Sequence, residues 1–120
     1  MEKILIVDDE ISVCSFLIDF LTLKGYEVHT ASDGYIAINK VKKINPCLVL
    51  LDIIMPGISG IKVLKEIKKL NSKIKVIMFT AVPDQIKESI DLGAYDYIKK
   101  PMSLDHVGNI VMHAIGNIKN

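Results

Sequence analysis

The stretch LVLLDIIMPGISG, which runs from Leu48 to Gly60, combines an apolar run with a single acid and a sharp break. The residues before Asp52 show no polar alternation, which is typical of a strand buried on both faces of a parallel sheet. Burial of a carboxylate without partners is costly, so Asp52 is expected to be paired, bound to a metal or used in chemistry. Met55-Pro56-Gly57 then turns the chain out of the strand.

Four further apolar runs on either side of this stretch predict the other strands of the sheet. Between them, polar residues recur every three or four positions, as in Ile11 to Lys24, which predicts helices. Five strands that alternate with five helices indicate one α/β domain over residues 1–120, with a parallel sheet covered on both faces. The predicted strands are Ile4 to Val7, Tyr26 to Ala31, Cys47 to Leu51, Ile74 to Phe79 and Tyr95 to Ile98.

Two of the predicted helices differ in how firmly they are anchored. The helix that begins at Pro83 has only Ile86, Ile90 and Leu92 to bury, which makes it the weakest one. The last helix has regular apolar spacing and an N-cap at Ser103. Because segments that move come from the least stable parts of a structure, the helix after Pro83 is the candidate mobile element.

Composition excludes several classes of protein. Fifteen Lys+Arg against fourteen Asp+Glu give a net charge of +1, which provides no net field for nucleic acid or an anionic membrane surface. The apolar runs are shorter than the ~18–20 residues of a membrane span, and the first one is too short for a secretory signal. A cytoplasmic location is therefore expected. Cys14 and Cys47 lie in apolar patterns and are expected to be buried free thiols.

One row of lysines and two of the three histidines are expected to be solvated. The balanced charge of the chain favours no specific role for the lysine face of the helix after Gly60. The histidines do not cluster with the acids, so a histidine metal site is not supported. The lysines are Lys62, Lys65, Lys68 and Lys69, the two histidines expected to be solvated are His106 and His113, and the third histidine is His29.

Polar residues follow the carboxyl ends of four predicted strands: Asp8 and Asp9, Asp52, Thr80, and Lys100. In a doubly wound sheet these ends meet at one edge, where ligands bind. Close carboxylates repel by about 4 kcal/mol per pair at an effective dielectric of 20, which calls for a cation, and hard oxygen ligands favour Mg²⁺. Asp52 is either a ligand or a nucleophile. A hydroxyl and an ammonium nearby favour a phosphoryl acceptor.

Four motifs carry a resemblance to a known family: ILIVDDE at Ile4 to Glu10, LLDIIMPGISG at Leu50 to Gly60, FTA at Phe79 to Ala81, and KP at Lys100-Pro101. In this order and spacing, the chain resembles the receiver domain of bacterial two-component response regulators, including single-domain regulators of the chemotaxis and sporulation-relay type. The resemblance implies a flavodoxin-like, doubly wound sheet with strand order 2-1-3-4-5.

The resemblance also implies a chemistry. A sensor histidine kinase, a phosphotransfer protein or a small acyl phosphate would donate a phosphoryl group to Asp52. Mg²⁺ would be held by Asp9, Asp52 and the backbone carbonyl of Ile54, with Asp8 acting through the water shell of the metal. Such a protein is not an enzyme beyond catalysing its own phosphorylation and slow dephosphorylation.

The resemblance further implies a route from the site to a partner. Lys100 would pair with the phosphoryl oxygens, Thr80 would move toward them, and Tyr97 would act as the switch aromatic. Tyr95 is expected to be a surface residue. The helix after Pro83, the strand from Tyr95 to Ile98 and the last helix would form the face that binds an output partner or a second copy of the chain, with no direct contact to nucleic acid.

Departures and alternatives remain. Ile54 and Val82 are apolar where fast self-hydrolysing relatives often carry amides or acids, which predicts a long-lived phosphoryl state. An aspartyl-phosphate phosphatase of the dehalogenase type would need a second Asp in place of Ile54. A nucleotide binder would need a Gly-rich turn in place of Asp8-Asp9-Glu10. A receiver-like docking module that works without phosphorylation is the more serious alternative.

Overall fold

The computed structural model describes residues 2–81, 83–101 and 103–119, without the side chains of 11–13 and 117–119. Within these residues the strands form one parallel sheet in the order β2-β1-β3-β4-β5, which confirms the fold that the sequence predicts. The strands are β1 (Lys3–Val7), β2 (Glu27–Ala31), β3 (Leu48–Asp52), β4 (Lys75–Thr80) and β5 (Asp96–Lys99). The helices are α1 (Ile11–Leu23), α2 (Gly34–Ile44), α3 (Gly60–Leu70), α4 (Ile86–Asp91) and α5 (Leu104–Lys119), with a 3-10 turn at Pro83–Gln85.

The core lies on both faces of the sheet, because successive side chains of a strand point in opposite directions. In β1, Ile4 and Ile6 pack with α1 and α5, whereas Leu5 and Val7 pack with α2 and α3. Every residue of β3 is buried. The uninterrupted apolar run before Asp52 therefore marks the central strand, as expected.

Side chains and backbone conformations define where helices begin and end, and the predicted N-cap at Ser103 is confirmed. The carboxylate of Asp33 accepts a hydrogen bond from the backbone N–H of Ile36 at 2.9 Å, and Ser103 Oγ accepts one from His106 N–H at 3.1 Å. Asn45 ends α2 in the left-handed conformation, with φ of 47°. Among the described residues, no helix combines the length and the apolar content of a membrane span.

The helix after Pro83 is short, and its anchor is not the predicted one. Ile90 was expected to be buried, but its side chain is 42% exposed. Ser89 is fully buried instead, and its hydroxyl donates a hydrogen bond to the carbonyl of Gln85 at 2.8 Å. Because α4 has only six residues, it makes less than two turns and presents few positions to the core. Leu92, just beyond it, packs against the core as expected.

One lysine of the α3 row is not simply solvated. Lys62, Lys65 and Lys69 are exposed, as predicted, but Lys68 is half-buried. Its ammonium donates hydrogen bonds to the carbonyl oxygens of Ile74 at 2.6 Å and Ser72 at 3.3 Å. The loop between α3 and β4 folds back over the helix end, so this position is covered although the helical pattern places it outside.

The two tyrosines near β5 differ in exposure, and the prediction for Tyr95 is wrong. Tyr95, predicted to be a surface residue, is half-buried against the core formed by α1 and α5. The Nζ atom of Lys75 lies 4.2 Å from its ring centroid, and the ring of His113 lies 6.3 Å away. Tyr97 is 42% exposed. Tyr95 lies just before β5 and packs against the core, whereas Tyr97 lies within β5, which is an edge strand of the sheet.

The cysteines and the remaining histidines show smaller differences. Cys14 is buried and Cys47 is half-buried, and neither forms a disulfide; the thiol of Cys47 lies 3.5 Å from the carbonyl oxygen of Lys3. His29 lies 2.7 Å from the carboxylate of Glu27, and the side chain of His106 is exposed. Neither histidine belongs to the carboxylate group that Asp8, Asp9 and Glu10 form at the carboxyl edge of the sheet.

Candidate functional site

Four strands bring their last polar residues to one edge of the sheet. Asp52 and Thr80 are the final residues of β3 and β4, and Asp8 and Lys100 directly follow β1 and β5. Because all the strand pairs are parallel, these ends lie on the same side. The structure thus brings together the acids, the hydroxyl and the ammonium that the sequence predicts to meet.

Lys100 bridges the two buried acids. Its Nζ atom lies 3.0 Å from Asp8 Oδ2 and 3.2 Å from Asp52 Oδ2. Its side chain is 20% exposed, and both carboxylates are nearly enclosed. The backbone N–H of Lys100 also donates to the carbonyl of Thr80 at 2.8 Å, which fixes the residue at the end of β4. Lys100 is therefore the counter-charge for both acids.

The environment of Asp52 disfavours its charge despite this partner. Burial raises the pKa of Asp52, and the nearby negative charge of Asp8 raises it further. The charge and hydrogen bond of Lys100, and the backbone N–H of Ile54 at 3.1 Å from Oδ1, act in the opposite direction without cancelling the effect of burial. The ionised form of Asp52 is consequently disfavoured in the folded protein. A further cation nearby would reduce the cost of ionising it.

Lys100 remains charged because it has two acidic partners. Burial opposes the ammonium and is the largest single effect. The hydrogen bond to Asp8, and then the charges of Asp52 and Asp8, outweigh burial and raise the pKa of Lys100. An ammonium is thus present at neutral pH and points between the two carboxylates.

A group of three carboxylates suitable for a cation lies at the end of β1. One oxygen from each of Asp8, Asp9 and Glu10 lies within 4.8 Å of the others, with Asp8 buried and the other two exposed. Hard carboxylate oxygens fit Mg²⁺ better than a soft metal. Glu10 is not among the predicted metal ligands, although it directly follows the two aspartates. Asp52 lies outside this group, with its Oδ2 on Lys100.

The remaining predicted positions lie around the site. Thr80 is buried at the end of β4. Tyr97, opposite Met78 in the sheet, lines a surface groove with His106. The side chain of Ile54 is exposed to solvent, and Val82 lies outside the described residues. The switch role of Tyr97 stays a prediction.

An apolar cavity of about 570 Å³ opens beside Lys100, which sequence reasoning did not anticipate. Phe16 of α1 is 72% exposed there, although it is a large aromatic side chain. An exposed aromatic residue beside a polar site is typical of a surface that another protein covers. In the sequence, this surface is indicated by Phe16 itself, which is an apolar residue on the otherwise polar face of α1. The lining also includes Glu10, Leu17, Ala81, Pro101 and Leu104.

Gly60 is a further residue whose role sequence reasoning missed. A Cβ atom at this position would overlap the backbone carbonyl of Asp52 and lie 2.7 Å from the Cα of Ile53. The backbone N–H of Gly60 donates to the carbonyl of Ile53 at 2.9 Å. The start of α3 thus packs directly on the end of β3, and only glycine permits this approach.

The sheet order, with its functional side chains at the carboxyl edge, defines a flavodoxin-like doubly wound α/β domain. Residues 4–112 match the response regulator receiver domain family. The chain therefore belongs to the receiver domains of two-component response regulators. Domains of this family are signalling modules that interact with histidine kinases or phosphotransfer proteins, and they are not enzymes in the ordinary sense.

Relatives of different length share this domain. Sporulation initiation phosphotransferase F of Bacillus subtilis is 40% identical over 112 residues, which cover 92% of this chain and 90% of that protein. Regulatory protein AtoC of Escherichia coli is 39% identical over 117 residues, which cover 96% of this chain but only 25% of that protein. The chain thus spans nearly all of one relative and a quarter of the other.

Solved structures agree with this assignment. A CheY-like receiver domain protein from Methanospirillum hungatei superposes with a TM-score of 0.95 at 27% identity, over 99% of this chain and 97% of that one. The receiver domain of NtrX from Brucella abortus gives a TM-score of 0.89 at 32% identity, over 94% and 98% of the two chains. Both similarities cover at least 94% of this chain.

Proposed function

We propose that Asp52 accepts a phosphoryl group and that the chain is a phosphorylation-activated switch. The observation that carries this proposal is the position of Lys100, whose ammonium lies 3.2 Å from Asp52. A phosphoryl group on Asp52 would add negative charge beside a cation that is already held in place by Asp8. The donor is a sensor histidine kinase, a phosphotransfer protein or a small acyl phosphate.

Each group at the site would have its own role in phosphoryl transfer. An oxygen of Asp52 forms the new bond to phosphorus, and the bond from phosphorus to the donor nitrogen or oxygen breaks with its electron pair left on the donor. Lys100 neutralises charge on the transferred group, and the hydroxyl of Thr80 donates a hydrogen bond to it. Phosphoryl transfer depends mainly on such positioning and charge neutralisation.

The donor set fits Mg²⁺ as the cofactor. Asp9, Asp52 and the backbone carbonyl of Ile54 would hold the ion, with Asp8 acting through its water shell and Glu10 close by. When bound, Mg²⁺ neutralises the charge that develops on the transferring group. The raised pKa of Asp52, caused first by burial, supports this assignment because a cation would offset the cost of ionising it.

The apolar cavity beside Lys100 supports a protein as the phosphoryl donor. Phe16 and Leu104 present apolar surface in the cavity beside Lys100, and a small acyl phosphate would leave this surface uncovered. The proposed partner is thus a histidine kinase or phosphotransfer protein that covers this cavity. A net charge of +1 supports no direct binding to nucleic acid or membrane, and a cytoplasmic location is part of the proposal.

The output would be read on the face formed by α4, β5 and α5. The exposed ring of Tyr97 and the thinly anchored α4 lie on this face, and both are suited to change position. Binding of an output partner or a second copy of the chain would follow. Beryllofluoride should alter amide hydrogen exchange in 86–99, and unchanged exchange there would refute the switch.

A long-lived phosphoryl state is proposed from Ile54. This residue lies two positions after Asp52, its side chain is exposed, and it has no group that orients an attacking water. The phosphorylated protein should lose its label over minutes or longer, and Ile54→Asn should accelerate the loss. Loss from the wild type within seconds would contradict this part of the proposal.

The central experiment is incubation with Mg²⁺ and acetyl phosphate, followed by intact mass measurement. The wild type should gain one phosphoryl group, and Asp52→Asn should gain none. Asp19→Asn, which changes an exposed acid of α1, is the matched control and should behave as the wild type. Absence of an adduct that depends on Asp52 would favour the docking module that works without phosphorylation.

A further inference from the structure

A basic cleft lies at the amino-terminal edge of the sheet, opposite the candidate site. Its volume is about 620 Å³, within the range of sites for small molecules. It is bounded by the end of α3, the start of β4 and the segment before β5. Its lining contains three lysines and no acid among the described residues. The lining includes Lys68, Ser72, Lys73, Lys75, Gly93 and Tyr95.

Lys68 is held in place inside the basic cleft. Its ammonium donates to the carbonyl oxygens of Ile74 at 2.6 Å and Ser72 at 3.3 Å. A Cβ atom on Gly93 would lie 3.4 Å from its Cε, so the lysine stem runs alongside this glycine. An ammonium has three donors, and these two bonds leave one for a ligand. Lys68 is thus a positioned cation rather than a mobile surface side chain.

Lys75 adds a second fixed cation. Its Nζ atom lies over the ring of Tyr95, 4.2 Å from the centroid, which orients the side chain along the cleft wall. Burial lowers the pKa of Lys68, and the charge of Lys75 lowers it further, so the two ammonium groups repel each other. In the described ranges, no carboxylate pairs with Lys68, Lys73 or Lys75. An anion between them would relieve this repulsion.

We propose that the basic cleft binds the phosphate chain of a small polyphosphorylated molecule. Several cations around one space match a multivalent anion better than a single carboxylate, and lysine binds phosphate as a point charge. The hydroxyl of Ser72 provides a further donor at the rim. This site is separate from Asp52 and does not depend on the proposed phosphorylation.

The test is titration with sodium tripolyphosphate, followed by calorimetry and backbone amide shifts, in low salt with a chelator to exclude metal. The double variant Lys73→Gln/Lys75→Gln should bind about tenfold more weakly, since each lost charge-assisted contact contributes to affinity. The matched control Lys62→Gln/Lys65→Gln removes two exposed lysines of α3 outside the cleft and should stay within about twofold of the wild type. Thermal unfolding checks that both variants are folded.

Each outcome decides the proposal. The proposal is supported if the backbone amide shifts centre on Lys68, Gly93 and Tyr95 and if only the Lys73→Gln/Lys75→Gln variant loses about tenfold in affinity. Equal weakening in both double variants would show only general charge attraction and would overturn it. ATP serves as a second probe. Binding of ATP without binding of tripolyphosphate would also overturn it, because recognition would then rest on the nucleoside.

Discussion

The first residue of α3, Gly60, lies directly against the backbone carbonyl of Asp52, the last residue of β3. The contact leaves no room for a side chain on Gly60. The helix start therefore sets the position of the strand end that carries the proposed phosphoacceptor. A change at Gly60 acts on the site through backbone atoms rather than through its chemistry.

Gly60→Ala should lower the free energy of unfolding by about 1–3 kcal/mol, because the added methyl group forces the backbone of α3 or β3 to shift. Denaturant unfolding measures the loss. Gly116→Ala is the control, since a Cβ atom there meets nothing within 4 Å and alanine favours helix. It should raise stability by about 0.5–1 kcal/mol. Equal effects of the two changes would contradict the close packing.

Lys100→Met should lower the free energy of unfolding by about 3 kcal/mol at neutral pH, because it leaves two enclosed carboxylates without their shared cation. The pKa of Lys100 is raised in the fold, where its partners outweigh burial. Its contribution is therefore complete below the ordinary lysine pKa of about 10.4 and is lost as the pH rises through the folded value. The difference between wild type and variant should narrow above about pH 10.4.

The control for this prediction is Lys99→Met, which removes the neighbouring exposed ammonium. Its effect should be within about 0.5 kcal/mol. The double variant Lys100→Met/Asp52→Asn should regain part of the lost stability, since one of the two unpaired acids is then neutral. A double variant as unstable as Lys100→Met alone would show that the bridge to Asp52 contributes nothing.

Asp52→Asn should be more stable than the wild type at pH 7. The pKa of Asp52 is raised, first by burial and also by Asp8, so the folded state binds its proton more tightly than the unfolded chain. Wild-type stability from this group is present below about pH 3.9 and is lost as the pH rises through the folded value. The advantage of Asp52→Asn should thus shrink toward acid pH. Chemical unfolding at several pH values measures it, with Asp91→Asn, at an exposed acid, as the control.

The two thiols should react at different rates. Burial, followed by the charge of Asp8, raises the pKa of Cys14 to about 11, whereas Cys47 is half-buried. At pH 8 in the native state, alkylation of Cys14 should be at least about tenfold slower than that of Cys47, because the thiolate is the reacting form. Peptide mapping measures both rates. In urea the rates should converge, and equal native rates would contradict the burial of Cys14.

The sequence predicts the sheet and the site because both depend on long, regular features. Uninterrupted apolar runs mark strands covered on both faces, and parallel strands necessarily end at one edge, so Asp8, Asp52, Thr80 and Lys100 meet there. The strand order itself came from the resemblance to receiver domains. The spacing of the strands along the sequence does not distinguish this strand order from other doubly wound orders.

The remaining features depend on short loops that a periodic pattern does not describe. Lys68 is covered because the chain after α3 folds back over it. Ser89 replaces Ile90 as the anchor of α4 because the helix is too short to present several positions to the core. The approach of Gly60 to Asp52 is set by the loop between β3 and α3. Each of these contacts is local in sequence but is decided by three-dimensional packing.

Acidic and basic residues also lie at opposite ends of the parallel sheet. Asp8, Asp9 and Asp52 lie at the carboxyl ends of the strands, and the lysines of the basic cleft lie at the amino-terminal ends. Although the net charge is only +1, acidic residues are concentrated at one end of the sheet and lysines at the other. The electric field of a charged partner would orient such a molecule during the diffusional encounter. A basic protein surface would therefore contact the edge of the sheet that carries Asp52 first.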